Sequence, residues 1–230
     1  MKYFYQDLIN KILIQTKDQH SIYIKRCKEF DKNQIGFKKI VMLGDSITEG
    51  GEDWNKYFKS KNIVNRGISG DTTLGILARL DELFFYKPTK IFLLIGINDI
   101  FNIDSPNRKN ITPISVSNNI MTIANILYKN SPKTQLYVQT TLPINNKLYK
   151  KLTGKFPLHE VPLPDQINQI NKRLKNNADQ NHYNVINLHD IFLDSHGLLS
   201  EKYTSDGVHL NEGGYHKWSK FICNYIPTNN

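Results

Sequence analysis

The chain has 230 residues, 39% of them hydrophobic, with 30 Lys and Arg against 21 Asp and Glu for a formal net charge of +9. That is about one domain, long enough to bury a continuous core, and the composition is globular rather than disordered. No stretch approaches the ~18 apolar residues of a membrane-spanning helix, so stable membrane insertion is not expected.

The basic residues are interspersed with acidic ones and form no long single-sign run, which argues for a solvated basic surface and against a nucleic-acid partner. An anionic substrate stays compatible with that charge. Cys27 and Cys223 stand almost the whole chain apart, with neither zinc spacing nor a disulfide framework, and are expected as reduced thiols. The first twenty residues place Asp7 and Asn10 where a signal peptide would carry its apolar run, so they read as an amphipathic helix of a cytoplasmic protein. Residues 1–35 form a helical extension, with packing or dimerisation as its role, ahead of one α/β domain over 36–230.

Five short apolar runs rich in β-branched residues read as buried strands: Lys39–Leu43, Asn62–Asn65, Lys90–Ile95, Gln135–Thr140 and Asn184–Leu188. Helical spacing fills the intervals. Leu74, Leu77, Leu80 and Phe84 share one face of Thr72–Tyr86, and Val116, Ile120, Ile123 and Leu127 one face of Pro113–Lys129. Further helices are expected over Pro164–Ala178 and from about Asn211 to Tyr225. Alternating strands and helices with right-handed crossovers imply a five-stranded parallel sheet in a three-layer α/β/α sandwich, for which 2-1-3-4-5 is a common strand order. The connection from Leu142 to Leu163 is long; it reads as a solvated loop or as a lid carrying Lys147, Tyr149, Lys150, Lys151, Lys155, Phe156 and His159.

In such sheets ligands bind beyond the carboxyl ends of the strands, and four segments follow strands there. The first strand runs into Gly44-Asp45-Ser46-Ile47-Thr48. A serine at a tight strand-to-helix turn is a candidate nucleophile, and equally a favoured helix cap. The G-x-S-x-G elbow does not fit, because Thr48 occupies its second glycine. The second strand runs into Asn65-Arg66-Gly67-Ile68-Ser69-Gly70-Asp71-Thr72, where glycine lets a backbone N–H approach a ligand; a phosphate cradle would need the Lys-Ser/Thr pair that is missing. The third runs into Gly96-Ile97-Asn98-Asp99, whose asparagine is either a neutral donor into the cleft or an Asx-turn. Beyond the fifth stands Asp206-Gly207-Val208-His209, a spacing at which a carboxylate can fix an imidazole tautomer while the other ring nitrogen faces a serine. Asp179-Gln180-Asn181-His182 repeats that spacing, but before the fifth strand and so at the wrong end of the sheet. Co-occurrence of G-D-S, G-x-N-D and D-x-x-H is expected by chance on the order of once in a thousand such chains.

These blocks, GDSITEGG, NRGISGDTT, GIND and DGVHL, match in order those of the SGNH (GDSL) hydrolases, which the sequence resembles from about Lys39 to Tyr215. The resemblance implies a flavodoxin-like sandwich and metal-free, cofactor-free ester or thioester hydrolysis. It puts the family's Ser, Gly, Asn and His on Ser46, Gly70, Asn98 and His209, with the triad aspartate at Asp206. The NRGISGDTT block is similar to branches containing platelet-activating-factor acetylhydrolase subunits, bacterial thioesterase/lysophospholipases and carbohydrate acetylesterases.

The expected activity is that of a carboxylic ester hydrolase working through an acyl-enzyme. Ser46 is its nucleophile, His209 its base and Asp206 the orienter. The N–H groups of Ser46 and Gly70 and the Asn98 amide form the oxyanion hole. Asp45 braces the turn, and Ser69 is a rival serine without a base. Trp54 lines the pocket or belongs to the core. His20, His159, His182, His189, His196 and His216 are scattered and read as structural or exposed rather than as metal ligands. The mixed polar, charged and aromatic stretches Gly50–Asn55, Ile97–Asn107 and Leu142–Leu163 favour short acyl esters, acetyl above all, of a carbohydrate or another polar alcohol. A lysophospholipase or thioesterase for longer chains is the alternative.

Overall fold

The structure, a computed structural model, describes residues 17–58, 60, 62–101 and 111–226. Aliphatic runs with few polar interruptions produce five strands: β1 (Ile40–Gly44), β2 (Ile63–Gly67), β3 (Lys90–Leu94), β4 (Gln135–Gln139) and β5 (Asn184–Ile186). All pair in parallel, in the order β2-β1-β3-β4-β5. β1 is buried at every residue, as a central strand covered on both faces must be. Register sets Gly44 beside Gly67 of β2 and beside Leu94 of β3, so these three strands end level with one another. From β1 the chain first crosses to β2 and then back past β1 to β3. That reversal opens the crevice between the carboxyl ends of β1 and β3.

The helices are α1 (Lys17–Lys32), α2 (Ser46–Glu49), α3 (Asn55–Phe58), α4 (Thr73–Leu77), α5 (Asp81–Tyr86), α6 (Ile97–Phe101), α7 (Pro113–Asn130), α8 (Asn146–Thr153), α9 (Leu163–Asn176) and α10 (Glu212–Ile222). The start of α7 is fixed by sequence: Thr112 and Ser115 form a reciprocal capping box, and Pro113 occupies the first turn, where its missing N–H costs nothing. Val116, Ile120, Ile123 and Leu127 are buried on the expected face. Among the described residues no helix is long and apolar enough to cross a membrane.

The expected single helix over Thr72–Tyr86 is broken at Ala78–Leu80 into α4 and α5. The break turns Arg79 inward, where Nε and Nη2 reach Asp71 Oδ2 at 2.9 and 2.8 Å, while Ala78 and Leu80 stay buried. The connection after Leu142 is not wholly a loop either, since it contains α8. That eight-residue helix has no fully buried side chain; Tyr149 is half-buried against Phe101 and Phe156.

Of the expected N-terminal extension, residues 1–16 lie outside the described residues; α1 is its described part. It is stitched to the sheet domain. Tyr23 is fully buried and donates its hydroxyl proton to the Gly75 carbonyl at 2.7 Å. Tyr23, Phe30, Ile68 and Ala78 form a small apolar cluster of their own. Arg66 donates to the Asn33 carbonyl at 2.6 Å, and the Ile35 N–H to Glu82 at 2.7 Å.

Candidate active site

Ser46 follows β1 by two residues and opens α2. The cap of that helix is Asp45, whose side chain accepts the Ile47 N–H at 2.9 Å. The capping role open to Ser46 is thus taken by its neighbour, and the Ser46 hydroxyl faces the crevice instead. There Oγ stands 2.9 Å from Nε2 of His209. Asp45 is fully buried, and desolvation pushes its carboxyl up to about 7. Tyr215 donates to the Ile47 carbonyl at 2.9 Å and holds the same turn from α10.

Nδ1 of His209 lies 2.7 Å from Asp206 Oδ2. The same carboxylate accepts the backbone N–H groups of Val208 and His209 on Oδ1, at 2.8 and 2.7 Å. Burial works against the Asp206 charge, yet the hydrogen bonds from His209 and Val208 outweigh it and hold the carboxyl down at about 2. The imidazole responds in the opposite sense: its hydrogen bond to Asp206 raises its pKa above 6.5 despite partial burial. With Asp206 ionised, a neutral His209 carries its proton on Nδ1 and leaves Nε2 to accept from Ser46. The loop itself is pinned. The Thr204 hydroxyl donates to the His209 carbonyl at 2.6 Å and accepts the Gly207 N–H at 2.9 Å, and the Asn145 N–H donates to the Gly207 carbonyl at 2.7 Å.

Level strand ends bring in the two remaining segments. Gly70 lies three residues beyond β2 and has a φ of +77°, a conformation that excludes most side chains and turns the chain sharply. Asn98 lies in α6, directly after β3, half-buried. Its amide nitrogen donates one proton to the Asp71 carbonyl at 2.9 Å, which fixes the side chain and directs the second proton elsewhere. Asp99, which carried no role in the sequence, joins these loops: it accepts the Thr73 N–H at 3.0 Å and the Thr73 hydroxyl at 2.5 Å. The Asp71–Arg79 ion pair lies beneath, and Arg79 also donates to the Gly44 carbonyl at 3.1 Å. Nothing local in the sequence singles out Arg79, whose partners are reached only through the fold.

Ser69 donates its hydroxyl proton to Glu49 at 2.5 Å, a carboxylate rather than an imidazole. Trp54 is core: it is 1% exposed, donates to the Thr48 carbonyl at 3.1 Å and packs on Tyr215 and Trp218. His182 of the second D-x-x-H stands just before β5, at the amino edge of the sheet, with its ring stacked on Tyr128 at 3.8 Å. His189 pairs with Asp190, and His216 lies edge-on to Tyr57. Among the described residues no three His, Cys, Asp or Glu side chains gather as metal ligands, and Cys27 and Cys223 are free thiols. Of the stretch Ile97–Asn107, residues 102–107 lie outside the described residues.

A doubly wound sheet presenting a serine, an imidazole and a carboxylate in hydrogen-bonded sequence beyond its carboxyl edge has the arrangement that the class of serine hydrolases uses. Comparison with known proteins narrows it. Residues 42–217 match the GDSL-like lipase/acylhydrolase family, and the chain belongs to that family. Over 210 residues it is 27% identical to the platelet-activating factor acetylhydrolase IB subunit alpha2 of Rattus norvegicus, covering 88% of this chain and 79% of that one. A solved structure from Streptococcus pneumonia, described as a platelet activating factor, is 29% identical, with a TM-score of 0.72 over 96% of this chain and 97% of its own. A GDSL-like lipase from Bacteroides thetaiotaomicron shares the fold at 23% identity, with a TM-score of 0.71 over 89% of this chain and 96% of its own. The protein is a carboxylic ester hydrolase of the GDSL type.

Proposed function

We propose that this hydrolase cleaves short-acyl esters, acetyl esters above all, of a carbohydrate or another polar alcohol, through an acyl-enzyme on Ser46. The observation that carries the catalytic part is the continuous chain Ser46 Oγ, His209 Nε2, His209 Nδ1, Asp206 Oδ2, with links of 2.9 and 2.7 Å. Ser46 attacks the ester carbonyl while His209 takes its proton, and Asp206 stabilises the resulting imidazolium. The N–H groups of Ser46 and Gly70 and the Asn98 amide hold the developing oxyanion. His209 then protonates the departing alcohol, and water repeats the attack on the acyl-enzyme.

The substrate reading is supported by the name of the 27%-identical relative, an acetylhydrolase. It is supported also by α8 beside the Asp206–His209 loop, which exposes Lys147, Lys150 and Lys151 around a half-buried Tyr149. A second reading, longer acyl chains on a lysophospholipid or thioester, is favoured by one feature: Leu152, Leu158 and Val161 are exposed along the same connection, Leu158 at 91%. The deciding measurement is kcat/KM for p-nitrophenyl acetate, butyrate, octanoate and palmitate, then for acetylated sugars and a lysophospholipid. Acetate and butyrate are expected to lead; a rise of more than about tenfold from acetate to octanoate would transfer the assignment to the second reading, because each added CH₂ would then be finding an apolar groove at ~0.8 kcal/mol apiece.

A further inference from the structure

Two carboxylate oxygens of one residue join three separate segments at the crevice. Glu49 is the last residue of α2, one helical turn after Ser46. Its Oε2 accepts the backbone N–H of Ser69 at 2.7 Å and the Ser69 hydroxyl at 2.5 Å. Its Oε1 forms an ion pair with Nε of Arg26 on α1 at 2.9 Å. Arg26 is held in turn by Glu29 at 2.6 Å and by its stacking over Phe30, 4.9 Å from the ring centre. Its second terminal nitrogen donates to the Gly67 carbonyl at 3.4 Å. Gly67 lies so close to α2 that a Cβ there would collide with the backbone nitrogen of Glu49. On the far side of the loop, a Cβ added at Gly70 would stand 3.0 Å from Cγ of Gln19, again on α1.

The geometry points to Glu49 and Arg26 as positioning residues for the oxyanion hole, and to α1 as the outer wall of that hole: Arg26 fixes Glu49, and Glu49 ties the Ser69–Gly70 loop to the turn that carries Ser46. The oxyanion donors on Ser46 and Gly70 come from segments more than twenty residues apart, and an oxyanion rewards only donors held at fixed separation before charge develops. The strand register sets that separation coarsely. The Glu49 carboxylate sets it finely, because it acts between the two turns themselves. Glu49 and Arg26 touch neither Ser46 nor His209 in any hydrogen bond described for the site, and their side chains are 27% and 26% exposed, too wet for the pair to be a large stabilising term of the fold. A surface ion pair of ordinary kind would sit idle here; this one ends on a backbone N–H adjacent to Gly70.

The inference rests on the assignment of Ser46 and Gly70 given above, and the test separates the two. Purified full-length variants are assayed on p-nitrophenyl acetate well below their melting temperatures, with the folded fraction read by circular dichroism. Glu49→Ala is expected to lower kcat about 10–100-fold with KM changed by less than about twofold, the pattern of a misplaced transition-state donor. Glu49→Gln, whose amide oxygen still accepts the Ser69 N–H but whose NH₂ cannot pair with Arg26, falls between the parent and Glu49→Ala, close to Arg26→Ala. Ser69→Ala keeps the N–H and costs less than Glu49→Ala. Arg26→Ala lowers kcat by about 3–10-fold, and the double variant Arg26→Ala/Glu49→Ala is no worse than Glu49→Ala alone, because Arg26 acts through Glu49. A kcat for Glu49→Ala within about twofold of the parent, a loss carried by KM, or strictly additive single effects would overturn the brace. Should Glu49→Ala fail to fold, Arg26→Ala and Glu49→Gln decide: an unaltered kcat in Arg26→Ala, or a Glu49→Gln as poor as Ser46→Ala, overturns it too. Ser46→Ala is run alongside; activity retained there removes the nucleophile assignment and the brace together, whereas an inactive Ser46→Ala beside an unimpaired Glu49→Ala removes the brace alone.

Discussion

Nε2 of His209 lies 2.9 Å from Oγ of Ser46 across 163 residues of sequence, with the Asp206 carboxylate 2.7 Å behind the same ring. Because Asp45 caps α2, Ser46 is not engaged in holding the turn, and its replacement removes chemistry rather than structure. Ser46→Ala is therefore expected to fold as the parent does and to lose on the order of 10⁶ in kcat, the cost of a nucleophile in a triad that acts as a unit. A fluorophosphonate should label Ser46 and spare Ser69, whose hydroxyl is committed to Glu49. Peptide mapping of the label to Ser69 would refute the assignment.

The pH profile follows from the same contact. With His209 as the proposed base, catalysis needs it neutral, and Asp206 raises the imidazole pKa above 6.5 by stabilising its charged form. kcat/KM should thus climb with pH through a midpoint above 6.5 and then level off. Asp206 itself, at about 2, stays ionised throughout the range of any assay. In Asp206→Asn the stabilising charge is gone, so the midpoint should move to lower pH, while the plateau falls by about 10⁴ because the amide no longer enforces the proton on Nδ1. A lowered plateau with an unmoved midpoint would mean that Asp206 does not act through the charge of His209.

Asn98 is expected to matter only as the oxyanion forms. Its tether to the Asp71 carbonyl holds the amide in place before substrate arrives, so nothing is gained by ground-state binding. Asn98→Ala should cost on the order of 10²–10³ in kcat and leave KM nearly unchanged. An effect falling chiefly on KM would move Asn98 into substrate binding.

What the sequence disclosed and what it hid divide along a physical line. Ser46 and Asn98 sit in short motifs directly after apolar runs, so motif and strand end could be read together; the Asp206–His209 pair stands about twenty residues beyond β5 and was legible by its own spacing and by lying after the last strand. Ser46 as cap or nucleophile could not be separated until the cap was seen on Asp45, one residue away. Arg79 and Arg26 carry no such mark, and Glu49, though inside the GDSITEGG block, has nothing there that names its partners. Their partners are set by crossovers and by α1 folding back over the β2–α4 loop, contacts that leave no periodicity in the chain. The break at Ala78–Leu80 was hidden for the same reason: Leu74, Leu77, Leu80 and Phe84 keep helical spacing on either side of a turn made to bury Arg79. Of α8, only two turns long and without a fully buried side chain, the amino-acid order gave only a long connection.

Arg79 supplies the sharpest stability test. Its side chain is 9% exposed and that of Asp71 wholly buried, at 2.8 Å, so removal of the cation strands a carboxylate away from water. Breaking such a pair costs about 3–5 kcal/mol, and Arg79→Ala should melt on the order of 10 °C lower at neutral pH. The penalty should also depend on pH. Burial already raises Asp71 to about 6 against its usual 3.8, with Arg79 pulling it back down. For a group whose folded pKa is raised, the contribution to stability is complete below the unfolded value and is lost as pH climbs through the folded one. Without Arg79 the folded pKa rises further, so the variant sheds stability over a wider interval than the parent. The gap in melting temperature between Arg79→Ala and the parent should therefore be larger at pH 8 than at pH 5. Because the Asp71 carbonyl also holds Asn98, kcat should fall in the variant even where it is fully folded. An equal gap at both pH values would mean that Arg79 stabilises by its bond to the Gly44 carbonyl and its packing near Phe30, and not by neutralising Asp71.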